Sequence, residues 1–169
     1  MDPRPAVEWH DVAEADWDQQ VNVGLKGVWL SMKYELPAML ARGGGAIVNN
    51  SSVAGLIGAG GGPYTAIKHG IIGLTRSASV KYGARGIRIN AVCPGVIDTS
   101  VWQRRYVGDP EFESDLRQIQ SMNRIGSAEE VAQAVLWLCS ARSSFVTGQY
   151  LVVDGGMMAR GVVLPVKKR

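Results

Sequence analysis

The sequence predicts an α/β fold, an open, mostly parallel sheet with helices between its strands. Two observations carry this. Short apolar runs bounded by glycine, serine or proline recur at residues 46–50, 87–93 and 148–153, the pattern of strands buried inside a sheet. Helix-like segments separate them, so the order α, β, α, β, α, β implies parallel pairing with right-handed crossovers.

The elements follow in order. Residues 1–13 carry Pro3 and Pro5 and no clear period, and read as an arm or loop. From Glu14, apolar residues recur at Trp17, Val21, Leu25, Val28, Met32, Leu36 and Met39, one face of a helix. Glu14, Asp16 and Asp18 suit its positive end. Pro37 is expected to kink or shorten its last turns, and Gly43-Gly44-Gly45 to end it. Residues 46–50 read as a strand buried on both faces, and 53–62 as a loop. A second helix is expected over 64–82 with Gly83 as its stop, and Gly70, Gly73 and Ser77 should allow close approach by a neighbour. Residues 87–93 form the next strand, stopped by Pro94-Gly95. The stretch 102–122 is polar and weakly periodic, a mobile helical lobe. Ser127-Ala-Glu-Glu130 is a capping box opening a helix to about Cys139, and 148–153 forms the last strand before Asp154-Gly155-Gly156.

Composition narrows the function classes. The 169 residues suit one domain with a sizeable core. The net charge is +3, and Lys167, Lys168 and Arg169 form a basic tail. No broad nucleic-acid-binding face is indicated. No apolar run approaches the ~18 residues of a membrane span and no signal-peptide core follows Met1. A soluble cytoplasmic protein with neither nucleic-acid nor membrane partner is expected. Cys93 and Cys139 lack metal-ligand spacing and read as buried small hydrophobes in a reducing compartment, with no metal site.

Ligands of such sheets bind beyond the carboxyl ends of the strands. Ser51-Ser52, Pro94-Gly95 and the start of the Tyr64 helix all belong there. Tyr64 and Lys68 are one turn apart and share a helix face. An ammonium beside a phenol favours phenolate, and such a phenol can act as general acid or base. Alone, a Tyr-x-x-x-Lys pair is weak, since chance supplies about 0.2 per chain of this composition, and a lone serine pair is more often a turn or cap. A serine-hydrolase reading through Ser52 and His69 fails for want of a Gly-x-Ser-x-Gly elbow.

Taken together, the motifs resemble the short-chain dehydrogenase/reductase family. They run Gly45-Ala-Ile-Val-Asn-Asn-Ser-Ser-Val-Ala-Gly55, Tyr64-x-x-x-Lys68, Gly86-Ile-Arg-Ile-Asn-Ala-Val-Cys-Pro-Gly95, Val96-Ile-Asp-Thr99, Glu129-Glu-Val-Ala132, Val146-Thr-Gly-Gln149 and Val153-Asp-Gly-Gly156. The resemblance covers the family's C-terminal two-thirds. It implies a single truncated Rossmann-type domain over 1–169, with a partial doubly wound sheet of strands 5, 6 and 7 in the family order 3-2-1-4-5-6-7. It implies an NAD- or NADP-dependent oxidoreductase interconverting a small-molecule alcohol and a carbonyl. Tyr64 would exchange the proton, Lys68 would hold the nicotinamide ribose and favour phenolate, and Ser52 would hydrogen-bond the substrate oxygen. Tyr64, Lys68, Pro94, Gly95, Ile97 and Thr99 would contact the cofactor. A homo-dimer or homo-tetramer is implied through the two long helices and the last strand.

Several features depart from the family pattern. Ser52 and Tyr64 are 12 residues apart, one short of the common spacing, so the loop is trimmed or Ser51 shares the role. Gly24 stands at the fourth catalytic position, normally asparagine, and Asn22 is off the matching face. Ile67 replaces a usually small residue. Nothing before Trp17 resembles the family's Gly-x-x-x-Gly-x-Gly turn, which cradles the pyrophosphate. The Ile47-Val48 strand is therefore expected to lose a neighbour and leave an open edge, making the chain unstable unless something covers it. The alternative reading is a truncated, inactive relative that retains assembly contacts. The residues leave open both the substrate and the choice between NAD and NADP.

Overall fold

A computed structural model describes residues 8–59 and 61–160, with the backbone alone at 105 and 106. The basic tail and most of the predicted N-terminal arm lie outside the described residues, as does the Tyr106 side chain of the lobe.

The first helical segment is a composite. Helix α1 (Glu14–Val21) runs into a π turn (Asn22–Lys26) and on into α2 (Gly27–Ala41). The predicted apolar face is only partly covered, with Met32 and Leu36 buried and Trp17 still 37% exposed. The helix continues four residues past Pro37, so the proline does not shorten it. Its end is set by Gly43 and Gly44, whose N–H groups return to the Leu40 and Met39 carbonyls at 3.1 and 3.0 Å, a Schellman closure with Gly43 at φ +83°.

Strand β1 (Gly45–Asn50) follows, then a short 3-10 turn (Val53–Gly55), the long helix α3 (Gly62–Tyr82) and strand β2 (Ile87–Pro94). Gly83 caps α3 where the sequence placed its stop, in a right-handed conformation at φ −57°. The chain then passes through a 3-10 turn (Gly83–Arg85), and Gly86 takes the left-handed conformation at φ +78°. Helices α4 (Ser100–Tyr106) and α5 (Pro110–Gln118) make up the lobe, anchored by buried Leu116 and Gln120. Helix α6 (Ala128–Cys139) opens on the predicted capping box, with Ser127 and Glu130 bonded reciprocally. Strand β3 (Tyr150–Val153) closes the sheet. Pairing starts earlier, as expected for 148–153, with Gly148 N–H donating to the Ile89 carbonyl at 2.8 Å.

The sheet is parallel, in the order β1-β2-β3. Met32, Leu36, Ile47, Ile87 and Ile89 form a core cluster between the sheet and the α2–α3 layer. Asn49 lies on this face, its Nδ2 donating to Thr75 Oγ1 at 2.9 Å. The other face carries Arg88 and Asn90, which bond α6 and the segment after it.

Two expectations need correction. The strands advance in one direction while α3 and α6 cover opposite faces, so the two crossovers have opposite hands rather than both being right-handed. The long α4–α5 excursion carries the chain around the carboxyl edge and makes this possible. Strand β1 is also not buried on both faces. Only Ile47 and Asn49 are buried, Val48 is half-covered, and among the described residues β1 pairs on one edge alone.

The small residues of α3 divide as well. A Cβ on Gly70 would lie 2.9 Å from Leu25 of the π turn, so this glycine admits a neighbour, whereas Gly73 has open space. Among the described residues, no helix is long and apolar enough to cross a membrane, and no three His, Cys, Asp or Glu residues gather to hold a metal. Cys93 is buried as expected, but Cys139, at the end of α6, is exposed.

Candidate active site

The carboxyl end of β1 delivers Asn50, Ser51 and Ser52 to the first turns of α3. Pro63 sits in the opening turn of that helix, where a missing N–H costs nothing. Tyr64 and Lys68 follow on one face, and the Lys68 Nζ lies 5.5 Å from the centroid of the Tyr64 ring. The same ammonium donates to the Asn50 carbonyl at 3.0 Å. Burial pulls the Lys68 pKa below the ordinary lysine value, and nearby Cys93 opposes this in part.

The two serines have different surroundings. Ser51 is buried and donates its hydroxyl to the Lys68 main-chain carbonyl at 2.8 Å. Ser52, 9% exposed, caps the Val53–Gly55 turn by accepting from the Ala54 N–H at 3.1 Å. Ser52 therefore keeps its own O–H as a donor for another group. Cys93, near the end of β2, faces the Ser51 side chain and the Ser52 main chain, and burial pushes its thiol pKa up. Sequence reasoning gave Cys93 no place here. Its proximity follows from the parallel register that sets Asn50 opposite Val92.

Pro94, Gly95, Ile97 and Thr99 continue from β2 at the same edge. Gly95 is fixed by close approach, since a Cβ there would lie 2.9 Å from Asp154. Ile97 bridges to Gly126 through the Val96 carbonyl and the Asp98 N–H. In a parallel bridge this turns the Ile97 N–H and carbonyl the opposite way. Thr99 is the cap residue of α4. Gly24 lies within the π turn. His69 is exposed, with Nδ1 3.0 Å from the Thr65 carbonyl, and has no part in the cluster.

The sequence and the fold are similar to those of known proteins. A family profile described as enoyl-(acyl carrier protein) reductase matches residues 3–158. The chain is 46% identical over 146 residues to a cyclohexanol dehydrogenase of Acinetobacter sp. (strain SE19), covering 85% of this chain and 55% of the relative. The chain belongs to the short-chain dehydrogenase/reductase family. Another member, the 3-oxoacyl-[acyl-carrier-protein] reductase of Thermotoga maritima, is 42% identical over 146 residues, covering 86% of this chain and 58% of that protein. Among solved structures, a gluconate 5-dehydrogenase from Burkholderia cenocepacia in complex with NADP and tartrate superposes with a TM-score of 0.88 at 30% identity. The match covers 95% of this chain and 63% of that one. The chain thus spans little more than half the length of several short-chain dehydrogenase/reductase relatives.

Proposed function

We propose that this chain carries the proton-transfer site of an NAD(P)-dependent oxidoreductase that interconverts a small-molecule alcohol and a carbonyl. The observation that carries the reading is the Lys68 ammonium held beside the Tyr64 ring at the carboxyl edge of the sheet. The donor set suits the nicotinamide-ribose end of the cofactor. Lys68 has N–H donors beyond the one given to Asn50, which suit ribose hydroxyls. The Ile97 peptide is turned away from its bridge and can meet a carboxamide, with Pro94, Gly95 and Thr99 lining the same edge. When bound, a nicotinamide supplies or accepts the hydride.

The side chains supply the proton chemistry. In the reducing direction Tyr64 gives its phenolic proton to the substrate oxygen, and in the oxidising direction it takes that proton back. The Lys68 ammonium stabilises the phenolate left behind. Ser52 donates its hydroxyl to the substrate oxygen and orients it. Ser51 is committed to the Lys68 carbonyl, which favours Ser52 for this role despite the shortened spacing. Cyclohexanol is the first substrate to assay, given the relative that bears its name.

Titration with NAD(H) and NADP(H) tests the reading. Saturable binding is expected, with turnover abolished in Tyr64→Phe. No binding at millimolar nucleotide refutes it for this chain, and unchanged turnover in the variant refutes the role of Tyr64.

A second reading has its own support. Between α2 and α3 lies a groove of about 360 Å³ lined by Trp29, Met32, Leu36 and Leu74 among others, beside exposed Tyr34. This face suits a second copy of the chain, as a homo-dimer or as part of a homo-tetramer. With Gly24 at the usual asparagine position, an inactive relative that retains assembly is the alternative function. Sedimentation showing a dimer without nucleotide binding would favour it. The proposed location is the cytoplasm, where the two free thiols stay reduced.

A further inference from the structure

Residues 50 and 51 hold Lys68 at both ends. The Asn50 carbonyl takes the tip of the side chain at 3.0 Å, while the Ser51 hydroxyl takes the main-chain carbonyl at 2.8 Å. Lysine has a flexible four-carbon stem, so holding both ends fixes where its charge sits. The Ser51 hydroxyl is enclosed on every side. A Cβ on Gly55 would lie 2.6 Å from Ser51 Oγ and 2.7 Å from the Lys68 oxygen, so only glycine lets the Val53–Gly55 turn close over this bond. Cys93 of β2 closes the other side, and Ser51 itself is 3% exposed.

We propose that Ser51 is a positioning residue, its buried hydroxyl holding the Lys68 carbonyl so that the Tyr64–Lys68 turn presents phenol and ammonium in one geometry. The proposal rests on the oxidoreductase reading for its effect on rate, but not for its effect on Lys68. The hydroxyl joins the end of β1 to the turn of α3 that carries both groups. Without it, the hydrogen bond from the Lys68 Nζ to Asn50 and the packing of buried Ile67 remain, and neither fixes the Lys68 main chain against the strand end. Displacements of about 1 Å at a reacting centre cost up to 100-fold in rate.

Two measurements on the 169-residue chain test this. The first is the titration of the Lys68 amine, followed by NMR in lysine-labelled protein, with Tyr64 and Cys93 as the titratable groups facing it. In Ser51→Ala the Lys68 pKa is expected to move up toward the ordinary value as the amine becomes hydrated, while the unfolding midpoint stays within a few degrees. Ser51→Cys puts a somewhat larger side chain with a weaker donor at the same place and is read in the same way should the alanine variant not fold. An unmoved Lys68 titration in a folded variant overturns the proposal, whether or not the chain turns over.

The second measurement is steady-state turnover of cyclohexanol. Ser51→Ala is expected to lower kcat by about 10- to 100-fold with KM changed less than about 2-fold, and to shift the basic limb of the pH profile. Full activity with an unshifted profile overturns the positioning role while leaving the oxidoreductase reading intact. A wild-type chain that binds no nucleotide refutes that reading instead, and the Lys68 titration still decides the role of Ser51.

Discussion

Arg88 is where the structure makes its largest stability prediction. It lies on β2, and its guanidinium reaches the end of α6. Nη1 donates to the Leu138 carbonyl and to Ser143 Oγ, each at 2.8 Å, and Nη2 donates to the Ser140 carbonyl at 3.0 Å. A contact to the Val146 carbonyl at 3.5 Å is marginal. Charge-assisted bonds contribute about 1.5–3 kcal/mol each, and a cation at a helix C-terminus adds about 0.3–1 kcal/mol. The simple total is too high, because the Ser140 carbonyl also accepts from the Ser143 N–H and the single Ser143 O–H can turn to the Leu138 carbonyl. No acceptor is left bare when the arginine goes. Arg88→Met keeps the apolar stem and removes the fork, and a loss of about 3 kcal/mol is expected. For a chain of this size that lowers the unfolding midpoint by roughly 6–12 °C. Urea unfolding followed by circular dichroism gives the free energy, and calorimetry gives the midpoint. Arg88→Lys should recover less than half, since an ammonium cannot span the same acceptors. A methionine variant within about 0.5 kcal/mol of wild type, the range of an ordinary surface substitution, would show that the fork does not hold α6 to the sheet.

Three further expectations concern pH and backbone. Because burial lowers the Lys68 pKa, the unfolded chain binds more protons between the folded value and 10.5. Stability therefore rises with pH across that window, and Lys68→Met should flatten the rise in a series of urea midpoints. Glu130 has a pKa lowered to about 2, chiefly by its bond to Arg124, so its contribution is complete above the usual 4.5 and disappears as pH falls toward 2. Carboxyl NMR should place the titration there, with Glu130→Gln removing the acid-induced fraying of α6, and high salt should weaken the effect at this exposed pair. Gly86→Ala should cost about 1–2 kcal/mol in equilibrium unfolding, because φ is +78° and a Cβ would lie 3.1 Å from the Gly43 carbonyl. An alanine variant as stable as wild type would contradict that geometry.

Much of the fold was legible because its signals are local. Apolar runs between glycines located the strands, and Ser127 with Glu130 located the start of α6 to the residue. The failures share a different cause. A π turn has no side-chain code of its own, so residues 22–26 read as ordinary helix. The face taken by α6 depends on how the lobe turns at the sheet edge, which periodicity does not record. Arg88 looked like one residue of a motif because its partners lie fifty or more positions downstream. In the candidate site, the Tyr64–Lys68 spacing was readable from helix geometry alone. The separate commitments of Ser51 and Ser52 were not, since adjacent serines look alike until the strand end fixes which way each hydroxyl points.

The opposed hands of the two crossovers also bear on the order of assembly. Strands β1 and β2 are joined by α3 and the two short turns that flank it, so their pairing closes the shorter of the two loops. Strand β3 reaches β2 only after the lobe has passed around the edge and α6 has crossed the far face. Pairings across long loops form late, because loop-closure entropy is spent before any contact repays it. The first half of the sheet and the whole Ser51–Lys68 constellation thus belong to the early unit, and β3 arrives as its seal. Until it does, residues Ala91 to Pro94 of β2 are an exposed edge, the point at which a folding chain of this design is most open to pairing with another.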